Sequence, residues 1–385
     1  MDVIQRGIVT LIRSAITGQA LHLPEEFHMD EAEKLILSHQ IVGLAYEGAV
    51  LCGISREEPA MCRLLQRYCQ IMQRSRRQVV AVETLLQKLE AAGIDHLPVK
   101  GCELKKLYPN PSMRTMGDAD ILIRMEQYEA IRLIMQQLGY TEGIVADHAM
   151  GWDGDVLEIE LHRRLVPKDE TYYEYMGDGW QRALHAEGCR YTLSLEDMYV
   201  FLFAHLVKHY RRGGIGLRQV VDLWVYNRAF PEMNKSVLAK QLEDLSLTTF
   251  HENIIKLLEY WFEDGQEDTR TAFISQFIFD SGSWGTPQQH HIFAGYQKAQ
   301  ETGSAKTGRA AAIVQIIFPG KSEMANRYPV LNRAPWLLPV LWPVRWVTAL
   351  LFRRENVKAC RDKAAQNSVE NIETFRQSLE YVGLR

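Results

Sequence analysis

Apolar residues recur at three- and four-residue steps through the first 92 positions. They do so most regularly from Glu57 to Ala92, where Leu64, Leu65, Ile71, Val79, Val82, Leu85, Leu86 and Leu89 predict one long helix. Gly93 follows the last periodic residue and is the expected stop. Ile94 to Val99 is short, apolar and carries Pro98, the pattern of an entering strand. Gly101 to Tyr108 then predicts a short helix, and Pro109, Asn110, Pro111 and Ser112 a loop. Asp118 to Arg124 alternates polar with apolar and predicts a strand, and Glu126 to Leu138 a helix stopped by Gly139. A weaker strand is expected near Ile144 to His148. Val156 to His162 has a clean period of two, with Val156, Glu158, Glu160 and His162 on one face and Leu157, Ile159 and Leu161 on the other.

Helical periodicity returns after Ser194. Met198, Phe201, Leu202, His205, Leu206 and His209 share a face, and Gly213 and Gly214 separate this helix from one carrying Leu217, Val220, Val221, Leu223 and Trp224. Further helices are expected near 237–247, 252–261, 310–317 and 367–381. The resulting class is α+β: a small mixed β-sheet with flanking helices, N-terminal helices, and a larger C-terminal helical domain. The expected divisions are 1–92, 93–192 and 193–385.

Composition narrows the function classes. The 385 residues are 46% hydrophobic and 24% charged, the balance of a folded protein with a sizeable core. A net charge of −4 gives no global attraction to nucleic acid or anionic lipid, so any polyanion contact must be local. Six cysteines stand without a CxxC pair, which favours a reducing, cytoplasmic setting over a disulfide framework or a zinc ribbon. Asp2, Arg6 and Arg13 interrupt the N-terminus, which reads as an amphipathic helix instead of a signal peptide. Ala334 to Phe352 is apolar, but Pro335, Pro339, Pro343 and Arg345 break it, so no transmembrane span is expected. It reads as a buried or interfacial segment, with Trp336, Trp342 and Trp346 as core anchors.

The chemistry concentrates in residues 97–123. Asp118 and Asp120 are one residue apart on a strand, so both carboxylates emerge on one face with Cα atoms about 6.5 to 7 Å apart. Such a pair suits a hard cation and can bridge two Mg²⁺ ions roughly 3.5 to 4 Å apart, the arrangement for in-line displacement at phosphorus. Gly117 leaves room for a phosphate or metal beside the backbone. Acidic residues also alternate on the solvent faces of many strands. A second acidic strand, with Glu158 and Glu160, supplies a possible third carboxylate.

The ordered series Val99-Lys100-Gly101, Leu107-Tyr108-Pro109, MRTMGDADILI, Leu138-Gly139-Tyr140 and IELH resembles the uncharacterised nucleotidyltransferase family of bacteria, a branch of the DNA polymerase β-like nucleotidyltransferase superfamily. The resemblance is strongest over residues 97–165 and continues more faintly through 205–224. It implies a nucleotidyltransferase core in which Asp118, Asp120 and Glu160 are catalytic and bind Mg²⁺, two ions, with Mn²⁺ as a substitute. It implies that Lys100, Gly101 and Cys102 occupy the turn whose backbone holds the nucleotide phosphates. Cys102 departs from the small Gly or Ser usual there, and a thiol is the poorer donor. The reaction implied is transfer of a nucleoside monophosphate from a nucleoside triphosphate to a hydroxyl acceptor, a small molecule, a protein side chain or an RNA end.

Other residues add to or compete with this reading. Arg114 can reach phosphate oxygens or brace the aspartates. His205, Lys208 and His209 share a helix face, and Arg211, Arg212 and Arg218 add a basic cluster, so Lys208 and His209 are candidate nucleotide contacts; a core histidine and solvated arginines are the alternative. Asp222 lies one turn from Arg218 and can pair with it. His162 can hydrogen-bond a catalytic carboxylate or ligate a metal, and with oxygen-rich Mg²⁺ chemistry it is expected to orient a carboxylate. Two rival readings remain, a nucleotide- or partner-binding protein without turnover and a DxD glycosyltransferase. A DxDxT phosphatase is disfavoured because Leu122 stands in place of the threonine.

Overall fold

The computed structural model describes residues 1–168, 172–283, 285–352 and 365–384. The chain packs as two compact units, one formed by Met1–Lys208 with Ile215–Ser283, the other by His209–Gly214 with Trp284–Arg385.

The first unit begins with four helices: α1 (Val3–Thr17), α2 (Met29–Ser38), α3 (Val42–Leu51) and α4 (Pro59–Ala91). The periodic leucines forecast α4 to within two residues. Pro59 opens it, where a missing N–H costs nothing, and Gly93 at φ 68° closes it, with the Ile94 N–H donating back to the Leu89 carbonyl at 3.0 Å. The sheet strands are β1 (His96–Val99), β2 (Asp118–Ile123), β3 (Thr141–Val145), β4 (Ala149–Asp153), β5 (Glu158–His162), β6 (Leu184–Glu187) and β7 (Arg190–Thr192). Between them lie α5 (Gly101–Leu104), α6 (Tyr128–Gln137) and α7 (Tyr173–Met176). The unit closes with α8 (Leu195–Arg212), whose end enters the second unit, then α9 (Leu217–Ala229), α10 (Lys235–Asp244), α11 (Thr248–Phe262) and α12 (Thr269–Ser281).

The seven strands form one mixed sheet in the order β3-β4-β5-β2-β1-β7-β6. β2 runs parallel to β5 and β1 parallel to β7, and the other pairs are antiparallel. One face is the core. Ala119, Ile121, Ile123, Ile159 and Leu161 pack with Val82, Leu85 and Leu89 of α4 and Ile131 and Met135 of α6. The opposite face carries the acidic residues of β2 and β5.

Two sequence expectations are corrected here. The weak strand expected at Ile144 to His148 covers the last two residues of β3 and then the hairpin turn; Met150 and Trp152 alternate into the core and fix β4 further along. The hairpin of β6 and β7 was not foreseen, because its residues are largely exposed and carry little apolar alternation; Gly188 at φ 55° makes its turn.

The second unit contains α13 (Pro287–Thr302), α14 (Ala305–Ile317), α15 (Lys321–Arg327), α16 (Leu338–Phe352) and a last helix, Val369–Val382. No helix among the described residues is long and apolar enough to cross a membrane. Trp336, expected as a core anchor, is instead 75% exposed.

Candidate active site

Period-two alternation sends Ala119 and Ile121 into the core and turns Asp118 and Asp120 to the other face, and β5 does the same with Glu158, Glu160 and His162. Parallel pairing aligns the two strands so that Asp118 lies opposite Glu158, Asp120 opposite Glu160, and Leu122 opposite His162. His162 Nε2 lies 2.9 Å from Asp120 Oδ1 and 3.2 Å from Glu160 Oε2, while Nδ1 is 3.3 Å from the Arg164 carbonyl. Asp120, Glu160 and His162 each offer a metal-ligand atom, and these atoms lie within 4.8 Å of one another. Asp118 stands outside that group, two residues away on the same strand face.

The turn after β1 supplies the positive charge. Lys100 has φ 48° and ψ −117°, a backbone state that costs a non-glycine residue on the order of 1–3 kcal/mol and is found where function over-determines geometry. Its ammonium lies 2.5 Å from Asp120 Oδ1 and 5.8 Å from the centre of the Phe201 ring of α8. Gly101 follows, and a Cβ there would sit 2.9 Å from Met116 Sδ and 3.0 Å from an Arg114 terminal nitrogen, so a side chain would have to displace one of them. At Gly117 the same test meets open space. Cys102 is buried with its thiol 3.9 Å from the Asp120 carbonyl oxygen; burial, then the Asp120 charge, pushes it up to about 12, so it stays a thiol.

These contacts decide the charge states. Burial opposes ionisation of Asp120, but Lys100 and His162 overcome it and hold the carboxyl well below the usual range. The His162 hydrogen bond lowers Glu160. Burial works against a charged His162, yet its bonds to Asp120 and Glu160 raise it. Asp118 is raised by desolvation and by the Asp120 charge beside it.

The loop entering β2 is strapped from three sides. Arg114 reaches Asp222 of α9 through two bonds of 2.7 and 2.9 Å, and the Tyr108 hydroxyl donates to the same carboxylate at 2.7 Å. The carboxylate that Arg114 pairs with is Asp222 of α9, not Asp118 or Asp120, the aspartates that the sequence offers it to brace. Arg218 donates to the Thr115 carbonyl at 2.9 Å, and Gln78 of α4 donates to the Met116 carbonyl at 2.9 Å. Lys105 is 3% exposed, and its ammonium has no hydrogen-bond partner.

Among the remaining sequence candidates, Lys208 of α8 lies near enough for its charge to act on His148, whose ring is 5.6 Å from that of His162; burial, then His162 and then Lys208 lower His148. His205 is half-buried on the same helix, while His209, Arg211 and Arg212 belong to the second unit. Sequence reasoning missed Gln78, Lys105 and the Tyr108–Asp222–Arg114 group, whose bonds span up to 114 positions and leave no local pattern.

Three comparisons place the chain among known proteins. No curated protein matches it. The solution structure of the antibiotic-resistance factor ANT(2'')-Ia is similar to it at 12% identity, over 48% of this chain and 97% of that one, with a TM-score of 0.33. The sequence profile described as "uncharacterised nucleotidyltransferase" matches residues 25–263, well over half of the chain and all of the strands and straps described above. The chain belongs to the uncharacterised nucleotidyltransferase family.

Proposed function

We propose that the protein transfers a nucleoside monophosphate from a nucleoside triphosphate to a hydroxyl acceptor in a metal-dependent reaction in the bacterial cytoplasm. The acceptor oxygen bonds to the α-phosphorus, the bond from that phosphorus to the β-bridging oxygen breaks, pyrophosphate leaves with the electron pair, and the hydroxyl proton is lost. The observation that carries this reading is the alignment of Asp120 with Glu160 across parallel strands, with His162 touching both.

The donor set fits a hard divalent ion. Carboxylate oxygens of Asp120 and Glu160 dominate it, joined by an imidazole nitrogen of His162, all within 4.8 Å of one another. Asp118, Asp120 and Glu160 would hold Mg²⁺, two ions in the polymerase β-like arrangement, with Mn²⁺ able to replace it. Bound there, the metal would polarise the phosphoryl oxygens and offset charge on the leaving group.

The chain's own groups do the rest. His162 orients Asp120 and Glu160, and its other nitrogen meets a backbone carbonyl that fixes the ring. Glu160, ionised through that contact, takes the acceptor proton. Lys100 and the backbone of Gly101 and Cys102 meet the phosphates, with Gly117 leaving space and Lys208 as a further contact. Arg114 positions the loop through Asp222.

A second reading is nucleotide binding without turnover, favoured by the thiol at position 102 and by the double occupation of Asp120 Oδ1. Calorimetric titration of each nucleoside triphosphate with Mg²⁺, on the wild type and on the Asp118→Asn, Asp120→Asn double variant, tests the site. Metal-dependent binding that the double variant loses is expected, with circular dichroism confirming that it folds. Absence of binding by the wild type at millimolar nucleotide overturns the proposal. Pyrophosphate release in an acceptor screen then separates transfer from binding alone.

A further inference from the structure

The second unit has a helix with an inverted surface. On one side, α16 is tied to the end of α14, where terminal carbonyls lack helical partners. Trp346 Nε1 donates to the Ile317 carbonyl at 2.9 Å, Trp342 Nε1 to the Pro319 carbonyl at 3.0 Å, and Arg345 to the Ile316 and Ile317 carbonyls at 3.4 Å. These bonds set the rotation of the helix about its axis.

The side turned outward is largely apolar. Val340, Val344 and Val347 fall one turn apart along a single face of α16 and are 59%, 44% and 54% exposed, with exposed Pro339 and Pro343 beside them, and Trp336, in the 3-10 turn Pro335–Leu337 just before the helix, is 75% exposed. Water demands the opposite, charged side chains outward and apolar ones inward. Pro343 also borders an open apolar pocket of about 420 Å³, lined further by Ile317, Phe318, Trp342 and Trp346.

The sequence around this face is strongly basic in a chain of net charge −4. From 302 to 352 it holds Lys306, Arg309, Lys321, Arg327, Arg333 and Arg345 against only Glu323. A two-fold pairing of copies through the face would bring two such positive segments together, which disfavours a second copy as its cover. An interfacial tryptophan, a continuous apolar face and a polybasic segment are together the features that seat a helix in the headgroup region of an anionic bilayer.

We propose that α16 lies in the plane of an anionic lipid surface, with Trp336, Val340, Val344 and Val347 at the acyl boundary and the basic residues on the headgroups. The helix rests on the membrane and does not cross it, consistent with its length and its internal Pro343. This inference stands independently of the nucleotidyl-transfer reading.

The test is co-sedimentation of the full chain with vesicles of phosphatidylcholine and phosphatidylserine at 7:3, against phosphatidylcholine alone, at 0.1 and 0.5 M NaCl. Binding to the anionic vesicles, at least tenfold weaker on the neutral ones and weakened by salt, is expected. The Val340→Glu, Val344→Glu variant should lose at least tenfold in binding with an unchanged melting temperature. The Arg327→Gln, Arg333→Gln variant provides a second arm that leaves the apolar face intact, and should weaken only the anionic binding. Failure of the wild type to bind either vesicle, or equal binding by all variants, overturns the proposal. So does light scattering that shows a wild-type dimer dissociating in the valine variant.

Discussion

Lys105 illustrates how a single buried charge carries information about stability. Its ammonium has no partner and lies near the guanidinium groups of Arg114 and Arg218; desolvation, then Arg114, brings it down to about 8. In the unfolded chain the same group titrates near the ordinary lysine value of about 10.4. Between those limits the unfolded chain holds more protons, so stability rises with pH as the folded lysine gives up its charge. Lys105→Met should therefore stabilise the protein at pH 7 by on the order of 2 kcal/mol, and the gain should shrink towards zero by pH 10. Thermal melts of both proteins across that range check it; a gain independent of pH would mean that packing, not charge, is responsible. That Asp118 and Asp120 share one strand face, and Glu158 and Glu160 another, was legible because strand alternation fixes which way neighbouring side chains point; the choice of Glu160 between its two carboxylates came from the family resemblance. The lysine's isolation was not visible, because it depends on burial and on guanidinium neighbours, Arg218 among them, brought in from a distant part of the chain.

At the scale of elements, His39 joins three helices. It caps the end of α2, its Nδ1 accepts from the Leu217 N–H that opens α9 at 3.3 Å, and its Nε2 donates to the Phe279 carbonyl of α12 at 3.2 Å. Burial brings it down to about 4, against the bond to Phe279. Because the unfolded chain takes up that proton from about pH 6.5 downward while the folded chain does not until about pH 4, stability falls as pH falls through this window. The loss amounts to at most about 3 kcal/mol from this residue. His39→Gln, which keeps a donor and an acceptor but does not titrate, should be less stable at pH 7 and show a shallower decline between pH 6.5 and 4 in urea unfolding. An unchanged slope would assign acid sensitivity elsewhere, with buried His251, also brought down to about 4 by desolvation, as the next group to substitute. Elements with a strong apolar period, such as α4, β2 and β5, were legible in the sequence. The β6–β7 hairpin was not, since an exposed edge pair is held by backbone bonds and by the Glu90 carboxylate accepting from the Cys189 N–H, none of which needs a hydrophobic pattern.

For the whole molecule, the division into two units separates two kinds of chemistry. Every residue of the Asp120 group and every strap on its loop lies in the first unit, and the outward apolar face of α16 lies in the second. The near-neutral overall charge concealed this arrangement, because net charge averages an acidic remainder with a basic segment at 302–352. Substitutions in regions that share no partners act additively, so each site should respond to its own variants alone. Val340→Glu, Val344→Glu should leave metal-dependent nucleotide binding within about twofold of the wild type, and Asp118→Asn, Asp120→Asn should leave vesicle binding within the same margin, about 0.4 kcal/mol. Both are measured on the full chain, by calorimetry and by co-sedimentation. A departure in only one of the two variants would point to damage in that variant. If instead nucleotide with Mg²⁺ raises vesicle affinity and vesicles raise nucleotide affinity by the same factor, the units are coupled, since thermodynamic linkage requires the two effects to be equal.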